Sequence, residues 1–253
     1  MAITLTHPPR SPARESSLAP RASVREHLLS MLRHVWYVTR WIWWHSYWRL
    51  SVTGMEHVPD RGATLLCSNH TSHLDAPAIL ATLPVRVALR ASTAAAKDFF
   101  GDHRARNAVS RLTTNSVPLE RDARFARGLR SLEQVLKERR PLVMFPEGRR
   151  SQGGQLQPFK NGAAMLSLRT GAPIVPIHID GLHESFPRGA LFPRPGGVRL
   201  RFAAPIDPRP YQRAVAQGRI SRREAYGQMM QELKAAIEGL AHDREEQMEG
   251  AAR

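Results

Sequence analysis

The stretch Ala63-Thr64-Leu65-Leu66-Cys67-Ser68-Asn69-His70-Thr71-Ser72-His73-Leu74-Asp75-Ala76-Pro77 contains two elements and the connection between them. Ala63 to Ser68 is a short apolar run closed by polar residues, which reads as a buried strand. Asp75 to Thr82 reads as a helix with a carboxylate in its first turn, where the helix dipole favours it. A strand joined to a helix by a short polar loop is the unit from which parallel sheets are assembled. The same alternation extends to both sides. Strands are predicted over Leu50 to Thr53, Val85 to Ala91, Leu142 to Phe145, Ile174 to Ile179 and Val198 to Phe202. Helices are predicted over Asp122 to Lys137, over Asn161 to Arg169, and from Ser221, which forms a capping-box pair with Glu224 ahead of an apolar stripe of Tyr226, Met230, Leu233, Ile237 and Leu240. The expected fold class is α/β, with a largely parallel sheet flanked by helices.

The N-terminal part has a different character. Residues 1–25 carry Pro8, Pro9, Pro12 and Pro20 among small polar and basic residues and are expected to be disordered. From Glu26 to Trp48, Leu28, Met31, Leu32, Val35, Val38 and Ile42 recur at steps of three and four, with Arg33 and Arg40 on the other side, so an amphipathic helix is expected. All five tryptophans (Trp36, Trp41, Trp43, Trp44 and Trp48) fall in this segment together with Tyr37 and Tyr47. Aromatics interleaved with basic residues suit a membrane interface, because an indole puts an apolar body at the acyl boundary and its N–H among the headgroups. The alternative is a helix that packs its aromatics on the core, and both uses are possible on different faces.

Charge narrows the partners. Lys+Arg number 37 against 22 Asp+Glu, a formal net charge of +15, and only four of the cations are lysines. An arginine excess of this size points to nucleic acid, an anionic membrane or a phosphorylated small molecule, and says nothing about fold. The single cysteine, Cys67, excludes an intrachain disulfide and multi-cysteine metal sites. No apolar run is long enough for a simple transmembrane span, and the first 25 residues do not have the form of a secretory signal.

Three constellations carry candidate chemistry. His70 leaves a strand end while Asp75 enters the next helix, and a turn between them brings the carboxylate back to the imidazole. A carboxylate on one ring nitrogen fixes the tautomer and leaves the other nitrogen to take a proton. The alternatives are a capping Asp beside an unremarkable loop His, or a metal-dependent hydrolase site built from His70, His73 and Asp75. The second constellation, Phe145-Pro146-Glu147-Gly148-Arg149-Arg150-Ser151, also follows a strand, and Glu147 and Arg150 flank a glycine that frees the backbone to present them to a polar substrate. In the third, Ser116-Val117-Pro118-Leu119-Glu120-Arg121, Arg121 is placed to capture a phosphate.

In order and content these pieces resemble the glycerophospholipid acyltransferase family, which includes the lysophosphatidic acid acyltransferases. Its N-H-x-x-x-x-D motif is met by Asn69, His70 and Asp75, and its Pro-then-Arg motif by Pro118 and Arg121. Its F-P-E-G-T-R-S motif is met by Phe145, Pro146, Glu147, Gly148, Arg150 and Ser151, with Arg149 in place of Thr, and its V-P-[VI] strand by Val175, Pro176 and Ile177. The resemblance covers about Leu50 to Pro205. It implies transfer of an acyl group from acyl-CoA or acyl carrier protein, as donor substrate and with no cofactor or metal, to a lysophospholipid hydroxyl, most often that of 1-acylglycerol 3-phosphate. It also implies that His70 is the general base, that Asp75 orients it, and that Arg121, Glu147, Gly148 and Arg150 hold the acceptor. The expected organisation is a disordered segment 1–25, a membrane-associating helix 26–49, an acyltransferase domain 50–242 and a polar tail 243–253. The expected location is the cytoplasmic face of an anionic membrane, held peripherally or monotopically. Nucleic acid is not an expected partner, although a nonenzymatic basic protein binding nucleic acid or acidic lipid by charge alone is the remaining alternative.

Overall fold

The computed structural model describes residues 24–96, 114–119, 125–151, 155–187, 190 and 192–251. Helix α1 (Val24–Trp48) leads into strand β1 (Ser51–Thr53) and a short 3-10 turn (Met55–His57). Strand β2 (Thr64–Ser68), helix α2 (Asp75–Thr82), helix α3 (Val85–Ala88), strand β3 (Ser92–Ala96) and strand β4 (Ser116–Leu119) follow. The remainder is helix α4 (Phe125–Lys137), strand β5 (Pro141–Met144), helix α5 (Gly162–Thr170), strand β6 (Ile174–Asp180), helix α6 (Leu182–Ser185), strand β7 (Arg199–Phe202), helix α7 (Arg209–Ala216) and helix α8 (Arg222–Ala251).

These strands form one seven-stranded sheet in the order β1-β7-β6-β2-β5-β3-β4. Every pairing is parallel except β6 with β7. The sheet is covered on both faces, which is why β2 reads as an unbroken apolar run. Along β2, Leu66 faces a cluster with Trp44, Trp48, Ile79 and Leu83 from α1 and α2. Its neighbours Leu65 and Cys67 face the opposite cluster, with Leu132, Leu166 and Leu233 from α4, α5 and α8. Alternate residues of one strand thus serve two cores. The capping box at α8 forms as read, with the Ser221 N–H donating to Glu224 Oε2 at 2.7 Å and the Glu224 N–H to Ser221 Oγ at 3.2 Å.

Two sequence expectations change. Val85 to Ala91 is not a strand. It follows Pro84 as helical turn α3, with the Ala88 N–H bonded to Pro84 O at 2.9 Å and the Ala91 N–H to Val87 O at 3.0 Å. The strand at this point is β3, displaced to Ser92-Thr93-Ala94-Ala95-Ala96, where small residues hide the usual branched signature. Its neighbour β4 contains Pro118 and lies at the sheet edge, the place where a missing N–H breaks no ladder. Helix α8 continues to Ala251, through most of the expected polar tail. The expected disordered segment lies outside the described residues up to position 23, and so does Arg121.

Helix α1 uses its two faces differently. Trp44 and Trp48 are fully buried, whereas Trp41 and Trp43 are 45% and 46% exposed beside exposed Met31, Val35, Val38 and Ile42. Tyr37 Oη donates to Leu83 O at 2.7 Å, tying the middle of α1 to the end of α2. The core-packing reading therefore applies to one face, and the other face, which the interface reading concerns, is exposed. Because β7 opposes β6 and β1 parallels β7, β1 starts at the edge where β2, β5 and β6 finish. The C-terminal end of α1 is thereby brought to that same edge.

Candidate active site

That carboxyl edge is where parallel sheets assemble their sites. Asn69 opens the loop after β2 by clamping β6, with its Nδ2 donating to Ile179 O at 2.9 Å and its Oδ1 accepting the Ile179 N–H at 2.8 Å. The next residue carries the ring. His70 Nδ1 donates to Asp75 Oδ2 at 2.8 Å, and the same oxygen accepts the N–H of Thr71 at 2.7 Å and of Ser72 at 2.9 Å. Asp75 is completely buried and stands in the first turn of α2. One carboxylate oxygen therefore shapes the loop and sets the imidazole tautomer together.

A second loop locks onto the first. The His70 N–H donates to Glu147 Oε1 at 2.8 Å, and the Ser151 N–H donates to His70 O at 2.7 Å. The imidazole lies on the Phe145 ring, with centroids 4.1 Å apart and planes 20° from parallel. The His70 backbone is thus held from both sides and its ring from below. The side chain is 21% exposed, and Nε2 is left without a protein partner among the described residues. A positioned imidazole of fixed tautomer with one open nitrogen is equipped to take a proton from a hydroxyl.

The structure gives Glu147 a different task from the one read in the sequence. Its side chain turns inward and is 3% exposed, and its second oxygen accepts the Gln157 N–H at 3.0 Å. Both oxygens are committed to backbone, so the carboxylate braces the His70 loop and is not presented to a substrate. Burial pushes its carboxyl above the ordinary value, overriding the two backbone bonds and the nearby imidazole that pull the other way. Gly148 turns the chain at φ +70, and a Cβ there would sit 3.1 Å from Lys160 Nζ and 3.2 Å from Lys160 Cδ and Cε, so a lysine lies across the loop at this point. Arg150 is half-buried, Arg149 is exposed, and Arg121 is outside the described residues. Among the described residues no group of three His, Cys, Asp or Glu side chains is placed to hold a metal ion, so His70, His73 and Asp75 do not form one.

Phe145, Gln157 and Lys160 were not singled out as site residues from the sequence. Phe145 belonged to a motif but gave no sign that it would stack under the imidazole. Gln157 contributes only its backbone N–H, which no side-chain pattern reveals. Lys160 carried one usable signal, as one of four lysines in an arginine-rich chain.

A family model described as Acyltransferase matches residues 49–180, just over half of the chain and all of the loops just described. The chain belongs to the acyltransferase family. Within that family it is 39% identical over 72 residues to the 1-acyl-sn-glycerol-3-phosphate acyltransferase of Cocos nucifera, a match covering 28% of this chain and 23% of the relative. To the mouse (Mus musculus) protein named 1-acyl-sn-glycerol-3-phosphate acyltransferase alpha it is 27% identical over 172 residues, 62% of this chain and 55% of the relative. The chain therefore spans about a quarter of the coconut relative and little over half of the mouse one. The crystal structure of the 1-acyl-sn-glycerophosphate acyltransferase PlsC from Thermotoga maritima matches with a TM-score of 0.65 at 26% identity, covering 87% of this chain and 84% of that one. The chain thus shares with PlsC a mostly parallel sheet flanked by helices.

Proposed function

We propose that this acyltransferase moves a fatty acyl group from a thioester donor, acyl-CoA or acyl carrier protein, to the free hydroxyl of 1-acylglycerol 3-phosphate, giving phosphatidic acid. The observation that carries the reading is the His70–Asp75 pair, held at the carboxyl edge of the sheet with Nε2 open. The names of the coconut and mouse relatives and of the Thermotoga structure support the choice of acceptor. In this reaction His70 Nε2 takes the proton of the acceptor hydroxyl as its oxygen attacks the thioester carbonyl carbon. The carbon–sulfur bond then breaks, and the imidazolium returns the proton to the leaving thiolate. Asp75 holds the ring and stabilises its protonated form, as a carboxylate does behind a catalytic histidine. Arg121 and Arg150 are assigned to the acceptor phosphate from their motifs, since a guanidinium offers paired donors to a phosphate.

Both substrates are amphiphiles, so the enzyme works at a lipid surface. The exposed apolar stripe of α1 and the net charge of +15 support attachment to the anionic headgroups of a cytoplasmic leaflet. Among the described residues no helix is long and apolar enough to cross a membrane, and the attachment proposed is peripheral or monotopic. The deciding experiment is an acyl-transfer assay of the purified protein against lysolipids of different headgroup, with acyl-CoA and acyl carrier protein compared as donors. Formation of phosphatidic acid by the wild-type protein and not by His70→Ala is the expected result. Preference for a neutral lysolipid would overturn the acceptor assignment.

A further inference from the structure

The loop between α6 and β7 presents the most exposed large apolar residue among those described, Phe192, at 81%. Its backbone is not free to tuck the ring away. Tyr47 Oη donates to Pro193 O at 2.8 Å, Trp48 Nε1 donates to Arg194 O at 3.0 Å, and the Arg194 N–H donates to Ser185 O at 2.7 Å. Two aromatic residues of α1 thus pin the two positions that follow Phe192. Tyr47 in turn stacks on the exposed Trp43, with ring centroids 5.8 Å apart and planes 16° from parallel. The loop leaves the carboxyl end of β6 by way of α6, so Phe192 stands at the same sheet edge as His70. Exposed Arg49 and Arg194 accompany it.

We propose that Phe192 is a second membrane contact, inserting into an anionic leaflet next to the aromatic end of α1. This rests on the membrane attachment proposed above and adds a partner surface to it. An apolar ring held out by a fixed backbone among arginines matches the headgroup boundary, where the ring enters the acyl layer and the guanidinium groups remain with the phosphates. Two contacts define an orientation that one helix lying on the surface does not. With α1 and Phe192 both seated, the edge that carries His70 faces the headgroups, and a lysolipid reaches Nε2 without leaving its leaflet.

The test uses the fact that the native thiol is silent. Cys67 is fully buried, and burial raises its thiol pKa, so Phe192→Cys supplies the one reactive thiol. An environment-sensitive dye is attached there and, in separate proteins, at Val38→Cys on the α1 stripe and Gln217→Cys at the exposed end of α7. Each is mixed with phosphatidylcholine vesicles containing phosphatidylglycerol and a lipid-borne quencher. The dyes at 192 and 38 are expected to brighten on binding and to be quenched from within the bilayer, while the dye at 217 remains as in water. A dye at 192 that behaves like that at 217 while the one at 38 inserts would overturn the proposal and leave α1 attachment standing; failure of both would remove the attachment itself. In parallel, Phe192→Ser should weaken vesicle binding on the order of 10-fold, as expected for one exposed apolar ring. Acylation of a short-chain acceptor free in solution should be unchanged. Undiminished vesicle affinity of Phe192→Ser would likewise overturn it.

Discussion

At the level of single residues the site depends on bonds to one ring and one backbone position. His70→Ala removes the proposed proton acceptor, and acyl transfer should fall to background while circular dichroism and the unfolding midpoint remain those of a folded protein. Asp75→Asn should lower kcat by about 10²- to 10⁴-fold, since an amide fits the loop but no longer holds the ring in the required tautomer. Glu147 gives a pH signature. Its carboxyl is raised in the folded state, so the fold binds the proton more tightly than the unfolded chain does. Its stabilising contribution is complete below the unfolded carboxyl value and is lost as pH rises through the folded one. Urea unfolding across pH should show wild type losing stability over that interval, with Glu147→Gln largely flat there. A wild-type slope unchanged in the variant would mean that another group is responsible. Arg149, which replaces the usual Thr of the motif, is exposed, so Arg149→Thr should leave the ranking of lysolipid acceptors unmoved in the same panel assay. The pairing of His70 with Asp75 was legible in the sequence because it is local, five residues apart across one turn. The inward turn of Glu147 was not legible, since it depends on the backbone amides of His70 and Gln157, brought together only by the sheet.

Among elements, the sheet was read correctly where strands are apolar and branched, at β2, β5 and β6. It was misplaced at β3 and not predicted at β4, where alanines and a proline form strands because their neighbours offer a free edge. No pattern within Ser92 to Ala96 contains that information. The aromatic helix shows the same limit from the other side: its amphipathic period was plain, but which indoles face the core depends on where α2 and the loop before β7 lie. The two faces should separate by mutation. Trp48→Ala removes a fully buried ring and the bond to Arg194 O, and should cost about 3–5 kcal/mol in urea unfolding. Trp41→Ala should change stability by less than about 1 kcal/mol, as surface substitutions do, and weaken vesicle binding instead. A Trp41→Ala protein as unstable as Trp48→Ala would mean that the outer face is packed.

For the whole molecule, charge and exposed aromatics act together. Binding to anionic vesicles should shift tryptophan emission to the blue through the exposed indoles Trp41 and Trp43, and raising salt should weaken it because the arginine contribution is screened. Binding that ignores salt would assign the attachment to the apolar stripe alone. The reversed direction of β7 has a consequence in time. Among the described residues β1 has β7 as its only strand partner, with Ser51 opposite Arg199 about 150 residues later in the chain. At roughly 5 to 20 residues per second of synthesis, the edge strand and the aromatic end of the helix wait on the order of ten to thirty seconds for the segment that fastens them. During that interval Pro193 O and Arg194 O, the acceptors for Tyr47 and Trp48, do not yet exist, and neither does β7. The middle of the helix meets α2 early, whereas its aromatic end is fastened only once the loop before β7 exists, and a nascent chain interrupted ahead of that loop lacks both of those bonds.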